Sequence, residues 1–172
     1  MKKLATIIMC SLFSLLALVG CSSNNESGDY NTNQSVNVTD ESKILLAYFS
    51  RAGENYNVGY IEKGNTEYIA DYISEYLDVD YTYKIERTTP YPDSYEECKT
   101  VATQEQRDNA RPDIIGNVEN MDSYDIVFLG YPIWYSTMPM CVFTFLESYD
   151  FSRKTIIPFS THEGSGWGFI KN

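Results

Sequence analysis

From residue 43 onward, short apolar runs alternate with stretches of helical period. Residues 43–50 (KILLAYFS) form a near-continuous apolar run, the pattern of a strand covered on both faces. Residues 66–77 place Ile69, Tyr72, Ile73, Tyr76 and Leu77 at helical spacing and predict an amphipathic helix burying that face. Residues 80–87 (DYTYKIER) alternate weakly, as a second strand does. Proline-broken turn chemistry follows, and a helix is predicted from about Ser94, with Ser94 and Glu97 as a capping box and Arg111-Pro112 as its end. DIVFLG (125–130) is the clearest strand after the first. Residues 139–149 predict a helix carrying Val142, Phe143, Phe145 and Leu146, and TIIPFS (155–160) a fourth strand before the glycine-rich HEGSGWG.

Strand–helix alternation of this kind implies right-handed crossovers and a three-layer α/β/α domain with a doubly wound parallel sheet. Ligands of such sheets bind outside the carboxyl ends of the strands, where the strand order reverses. Three loops fall there: 50–65, 131–139 and 160–168. The first carries a specific signal. A buried strand runs into Ser50 and Arg51, and Gly64-Asn65-Thr66 then opens a helix. A helix N-terminus offers unpaired N–H groups and the positive end of a dipole, which suits a phosphate. Ser50, Asn65 and Thr66 are candidate donors, Arg51 a candidate bidentate contact, and Gly64 the residue that lets the main chain approach. Gly-Asn-Thr alone is equally an ordinary helix cap.

The front of the chain adds location. Lys2 and Lys3 precede a short apolar stretch, so residues 1–20 read as a signal segment, not a spanning helix. Leu18-Val19-Gly20-Cys21 resembles a bacterial lipobox, which implies cleavage before Cys21 and lipid on that cysteine. Residues 21–42, rich in Ser, Asn, Gly, Asp and Thr, read as a flexible tether, leaving 43–172 as one domain. The expected setting is extracytoplasmic and lipid-anchored to a bacterial membrane. Loss of the two positive charges of Lys2 and Lys3 takes the net charge of the whole chain from −11 to −13. That balance argues against nucleic acid and anionic lipid as partners and favours basic proteins. Setting aside Cys10 and Cys21, the remaining cysteines, Cys98 and Cys141, show neither metal nor redox-motif spacing. The single histidine, His162, excludes a histidine-rich metal site, and HEGSGWG lacks the spacing of a serine-nucleophile elbow.

Four pieces of the chain resemble the flavodoxin-like family, in particular its bacterial secreted and lipoprotein members: AYFSRAG with GNTEYIA; TPYPDSYEEC with ARPDI; GYPIWYSTMP with FLESYDFS; and TIIPFSTHEGSGWG. The resemblance implies a noncovalent FMN site, redox chemistry and strand order 2-1-3-4-5. The fifth strand and last helix of the pattern are not found before Asn172, so the expected order is 2-1-3-4 with an open edge beside the fourth strand, an aggregation hazard. The insertion 51–63 between Ser50 and Gly64 is expected to reshape the loop or act as a lid.

Under that resemblance the anion is the ribityl phosphate of FMN. Pro132, Ile133, Trp134, Tyr135 and Ser136 form an aromatic loop suited to stacking on a flat ring, with Trp134 alternatively a core residue. Thr161, His162 and Gly164 belong to a loop that can approach the ring edge; His162 either steadies the reduced form or simply faces solvent. Tyr91, Tyr95 and Glu97 are either a substrate wall or helix packing. Surrounding carboxylates are expected to disfavour an anionic reduced flavin. The function implied is electron transfer to a redox partner protein, or flavin-dependent reduction of a small acceptor. The alternative is a flavin-free binding or interaction module at the membrane surface.

Overall fold

A computed structural model describes residues 41–166 and 168. The signal segment, Cys21, most of the tether, Trp167 and the residues from Phe169 onward lie outside the described residues. The domain carries β1 (Ile44–Tyr48), β2 (Gly53–Asn55), β3 (Gly59–Ile61), α1 (Asn65–Tyr76), β4 (Tyr81–Lys84), α2 (Tyr95–Arg107), a 3-10 turn (Met121–Ser123), β5 (Ile126–Pro132), α3 (Met140–Glu147) and β6 (Thr155–Thr161). Four strands form one parallel sheet in the order β4-β1-β5-β6, the predicted 2-1-3-4, with β4 and β6 as its edge strands among the described residues.

Every residue of β1 is buried because it lies inside the sheet with side chains meeting a layer on each side. Leu45, Ala47 and Phe49 join Val127, Leu129 and Tyr131 under the helical residues Cys98, Ala102, Cys141, Val142 and Phe145. Leu46 and Tyr48 turn to the opposite face, where Ala70 and Ile73 of α1 meet Phe128 and Phe159. Gly130 in mid-strand permits that second layer: a Cβ there would fall 2.2 Å from the Phe159 ring.

The expected apolar face of α1 is corrected. The helix presents Thr66, Ala70 and Ile73 to the sheet, while Ile69, Tyr72, Tyr76 and Leu77 are 40–77% exposed. Small residues let the axis approach closely, and the tyrosines keep their hydroxyls in water. The end of α2 also differs, at Arg107 and not Arg111. Asn109 adopts a left-handed φ of 48°, with Asn109 N–H donating to Gln106 O (3.2 Å) and Ala110 N–H to Glu105 O (2.9 Å), the two bonds of a Schellman ending. Nor does Ser94 form the capping box, as its side chain makes no cap bond. The Tyr95 N–H donates instead to Glu54 Oε2 at 3.1 Å, from a different part of the chain.

At the β6 edge, Thr155 N–H donates to Asp125 O (2.8 Å), so alternate N–H groups of β6 face β5. By that parity the nitrogen of Pro158 faces outward and carries no donor. The edge thus lacks a ladder group at its middle, which blunts strand addition.

Buried acids, Tyr48, Tyr83 and Cys141 among them, lower stability at alkaline pH. Burial pushes the Tyr48 and Tyr83 hydroxyls from 10.0 up to about 12, and the Cys141 thiol from 9.0 up to about 12. Unfolded, these groups release protons near 9 to 10; folded, they hold them to about 12, so their contribution is complete below pH 9 and lost as pH rises. The urea midpoint should therefore stay level from pH 7 to about 9 and fall steadily between about 9 and 12.

Candidate functional site

At the carboxyl ends of β1, β5 and β6 lies a cleft of about 590 Å³, reached by all three loops singled out in the sequence. Its first end is the strand-to-helix junction. Gly64 is buried with an ordinary φ of −69°, and a Cβ there would lie 2.2 Å from Ser50 Oγ and 2.6 Å from Arg51 O. Gly64 does not itself line the cleft; it lets the start of α1 press against the end of β1. Ser50 Oγ accepts the Glu67 N–H at 3.0 Å, a donor of the first turn that is shared with Gly64 O at 3.1 Å. The N–H groups of Asn65 and Thr66 have no partner among the described residues, and both residues line the cleft. Thr66, 1% exposed, holds Oγ1 2.8 Å from Thr161 Oγ1. The unpartnered amides of Asn65 and Thr66 thus stand at the start of α1 beside the bonded hydroxyl pair of Thr66 and Thr161, an arrangement that fits a phosphate.

Arg51 lines the cleft, but its guanidinium is committed elsewhere. It donates to Glu54 O (2.6 Å), Pro92 O (2.5 Å from Nη2) and Asp93 O (2.7 Å), pinning the segment after β1 to the segment before α2. The expected bidentate phosphate contact is therefore corrected: three main-chain carbonyls already use the fork. Lys63 pairs with Asp71, and Lys99 with Glu96 at 2.5 Å. Anion attraction at this end falls to the helix terminus and its donors.

The aromatic loop supplies the floor. Pro132, Ile133, Trp134 and Tyr135 line the cleft; Ser136 does not. Trp134 N–H donates to Thr137 O (2.8 Å) and Thr137 N–H to Trp134 O (3.0 Å), closing a tight turn whose central residues, Tyr135 and Ser136, have φ of 49° and 67°. Two adjacent non-glycine residues in the left-handed region cost about 1–3 kcal/mol each. Neighbours hold them there. Tyr135 OH lies 2.8 Å from Thr103 Oγ1, Gln106 Nε2 donates to Tyr135 O, and Gly168 packs so tightly that a Cβ would sit 2.3 Å from Ser136 O. Trp134 is both core and cleft residue, its half-buried ring edge-on to Phe49 (5.5 Å) and Tyr91 (5.1 Å). Tyr91 is packing, not wall: buried, it donates to Glu105 Oε2 at 2.5 Å, and the Arg87 guanidinium lies 4.2 Å above its ring. Arg87 Nη2 stands 2.9 Å from Glu105 Oε1, an ion pair angled so that neither Oε1 nor Arg87 Nε gains a hydrogen bond. Burial first, then neighbouring Cys141 and the hydrogen bond and charge of Glu105, pushes the Tyr91 hydroxyl far above its ordinary value, keeping it a neutral donor.

The third loop brings Thr161 and His162 to the cleft, while Gly164 stays outside it. Gly164 N–H donates to His162 Nδ1 at 3.1 Å, folding the loop on itself, and Ile133 N–H donates to Thr161 O (2.8 Å), joining second loop to third.

Sequence reasoning missed the opposite wall. The insertion 51–63 is an antiparallel hairpin of β2 and β3, turning through Asn57 at φ 57° and Gly59 at φ 78°. Asn55, Tyr56 and Val58 of that hairpin line the cleft, as do Tyr95, Cys98 and Lys99 of α2. Tyr95 thus lines the cleft, whereas Glu97 is exposed and away from it. The lone available signal was the run of tyrosines, weak in a chain with 15 of them. Among the lining residues the single carboxylate is Glu163, against the cations Arg51 and Lys99, so the expected acidic surround is corrected. Burial raises the Cys98 thiol, which leaves it a packing residue and not a nucleophile.

This architecture and site define a doubly wound α/β ligand-binding domain. The chain belongs to the flavodoxin family, whose sequence pattern matches residues 43–172. Among solved structures it is similar to a candidate flavoprotein from Bacteroides eggerthii, at 34% identity over 74% of this chain and 75% of that one, with a TM-score of 0.61. A candidate flavoprotein from Bacteroides uniformis is similar at 28% identity over 73% and 76%, TM-score 0.58. A flavoprotein in complex with FMN from Lactobacillus acidophilus shares the fold at 20% identity over 72% and 76%, TM-score 0.57. No curated protein matches the chain.

Replacing Arg51 by Lys removes the fork that spans Glu54, Pro92 and Asp93. Amide hydrogen exchange at Glu54 and Tyr95 should then accelerate by about tenfold or more, read by mass spectrometry, with the β1 amides unchanged.

Proposed function

We propose that this chain binds FMN in the cleft and serves electron transfer or the flavin-dependent reduction of a small acceptor. One observation carries the reading. Two unpartnered amides, those of Asn65 and Thr66, stand at one end of the cleft beside the Thr66–Thr161 hydroxyl pair, and a half-buried tryptophan on a strained turn forms its floor. That pairing suits a molecule with a phosphate at one end and a flat ring at the other. The Bacteroides and Lactobacillus similarities and the family membership support it.

Asn65 and Thr66 would hold the phosphate through their amides and the Thr66 hydroxyl, with Ser50 fixing the first turn of α1. Trp134 and Tyr135 would bound the ring, and the 161–163 segment its edge. Bound flavin supplies one- and two-electron redox chemistry. The protein's own part is orientation, exclusion of water, and a local field set by Arg51, Lys99 and Glu163. His162 stands at the cleft with Nδ1 accepting, which leaves Nε2 as the nitrogen able to carry a proton.

Titrating the purified protein with FMN tests this directly, with saturable uptake at micromolar concentration or below as the expected result. Thr66→Ala removes a charge-assisted donor and should weaken uptake about tenfold. A colourless protein that takes up no FMN supports the rival reading of a flavin-free interaction module.

We also propose that the mature chain is held to an extracytoplasmic membrane surface by lipid on Cys21, its acidic domain excluding nucleic acid as a partner. No helix among the described residues is long and apolar enough to cross a membrane. Cys21→Ser should move the protein from the membrane fraction to the soluble one and abolish labelling by a fatty-acid analogue.

A further inference from the structure

Residues 66–77 repeat a four-residue unit three times, TEYI, ADYI and SEYL, and all but Leu77 lie in α1. Positions four apart form ridges along a helix, so the repeat lays down rows of different chemistry. The small row meets the sheet, with Thr66 and Ala70 each 1% exposed. The row of Tyr68, Tyr72 and Tyr76 faces solvent at 50%, 57% and 77% exposure, and the row of Glu67, Asp71 and Glu75 runs beside it. From α1 only Asn65 and Thr66 line the cleft, so the tyrosine ridge stands apart from it.

Tyrosine is concentrated at protein interfaces, where its ring buries a large area and its hydroxyl stays wet, whereas lysine is depleted there. α1 carries three tyrosines and neither lysine nor arginine. Lys63, just ahead of the helix, shows how a cation sits across the two rows: its Nζ pairs with Asp71 and lies 4.9 Å from the Tyr68 ring centroid. The repeat sets the same pair, Tyr72 and Glu75, one unit further along. Glu67 has Lys84 Nζ at 3.1 Å, but Glu75 has no ion pair among the described residues. Asp78 and Asp80, both exposed, extend the negative charge past the end of the helix.

That charge selects the occupant. A second copy would set acidic row against acidic row, and an anionic lipid surface is repelled in the same way. A cationic helix fits both features. Its own four-residue ridges interdigitate with those of α1 at a crossing of about −50°, and its cations reach the carboxylates and the tyrosine faces together.

We propose that the Tyr68–Tyr72–Tyr76 ridge of α1, with its acidic row, docks a helix of a basic protein bearing arginine or lysine at four-residue spacing. Tyr72 and Glu75 form the centre of this surface and repeat the cation seat that Lys63 fills at Tyr68 and Asp71. The surface lies outside the cleft, so the partner is held beside the site, and the proposal does not depend on the FMN reading.

The test uses the mature chain, residues 21–172, with Cys21→Ser so that no anchored lipid intervenes. The probe is a fluorescent helical peptide of about 20 residues, alanine and leucine with arginine at every fourth position. Anisotropy is read at about 0.15 M salt, where diffuse attraction is screened. Saturable binding is expected, weakened about tenfold or more by Tyr72→Ala and by Glu75→Lys and retained in Tyr72→Phe. The same peptide with glutamate in place of arginine should not bind. Tyr60→Ala and Asp122→Asn, at exposed positions outside α1, should bind as the unaltered chain does. Absence of saturable binding overturns the proposal, and so does an equal loss in Tyr60→Ala or Asp122→Asn, the mark of diffuse charge. A dimer in sedimentation that Tyr72→Ala abolishes assigns the ridge to a second copy and overturns it. Flotation with phosphatidylcholine vesicles, lost in Tyr72→Ala, assigns the ridge to lipid and overturns it equally.

Discussion

The contact between Gly64 and the Ser50-Arg51 backbone governs the site. No side chain larger than hydrogen fits there, since a Cβ would overlap Ser50 Oγ and the main chain of Arg51. That closeness brings Ser50 Oγ to the Glu67 amide from outside the helix, while the amides of Asn65 and Thr66, ahead of it in the first turn, keep no partner among the described residues. It also sets Thr66 against Thr161, so the first and last strands of the cleft share one hydroxyl contact. An ordinary side-chain cap on α1 would have occupied the donors that make the terminus useful.

Charge is arranged in an instructive way. The arginine nearest the phosphate end serves architecture: Arg51 satisfies carbonyls in three residues of two separate segments, and through them holds the hairpin against α2. The lysines nearby are paired with Asp71 and Glu96. The unpartnered charge left at this end of the cleft is that of fixed backbone dipoles, which need no reorganisation to meet an anion. Beneath the aromatic floor, the Arg87–Glu105–Tyr91 cluster gives Trp134 a rigid support. The strained turn at Tyr135 and Ser136 persists because α2 and Gly168 hold it from two sides.

Much of the fold was legible in the chain because strands buried on both faces leave an unbroken apolar run that needs no context to read, as in β1 and β5. Chirality then places the loops after β1, β5 and β6 on one edge. Ser50, Asn65, Thr66, Pro132, Ile133, Trp134, Tyr135, Thr161 and His162 all reach the cleft from those loops. The misreadings share a cause. The face of α1 that meets the sheet is chosen by how closely the axis lies, so Ala70 outranks Tyr72 despite being less apolar in area. Tyr95 is capped by a carboxylate 41 residues away, a partner that no local motif announces.

By itself, the sequence determined the alternation of elements, the parallel sheet, the edge where the cleft lies and the helix terminus that opens onto it. These follow from short-range rules: apolar periodicity, glycine and hydroxyl residues at a helix start, and the handedness of crossovers. Only the tertiary structure decided that Arg51 is a brace, that the stretch after it folds into a hairpin wall, and that Tyr56 and Tyr95 meet. The brace, the seating of the hairpin against α2 and the tyrosine pair depend on contacts between residues about 40 positions apart, whose geometry exists only once the sheet has brought the loop ends together.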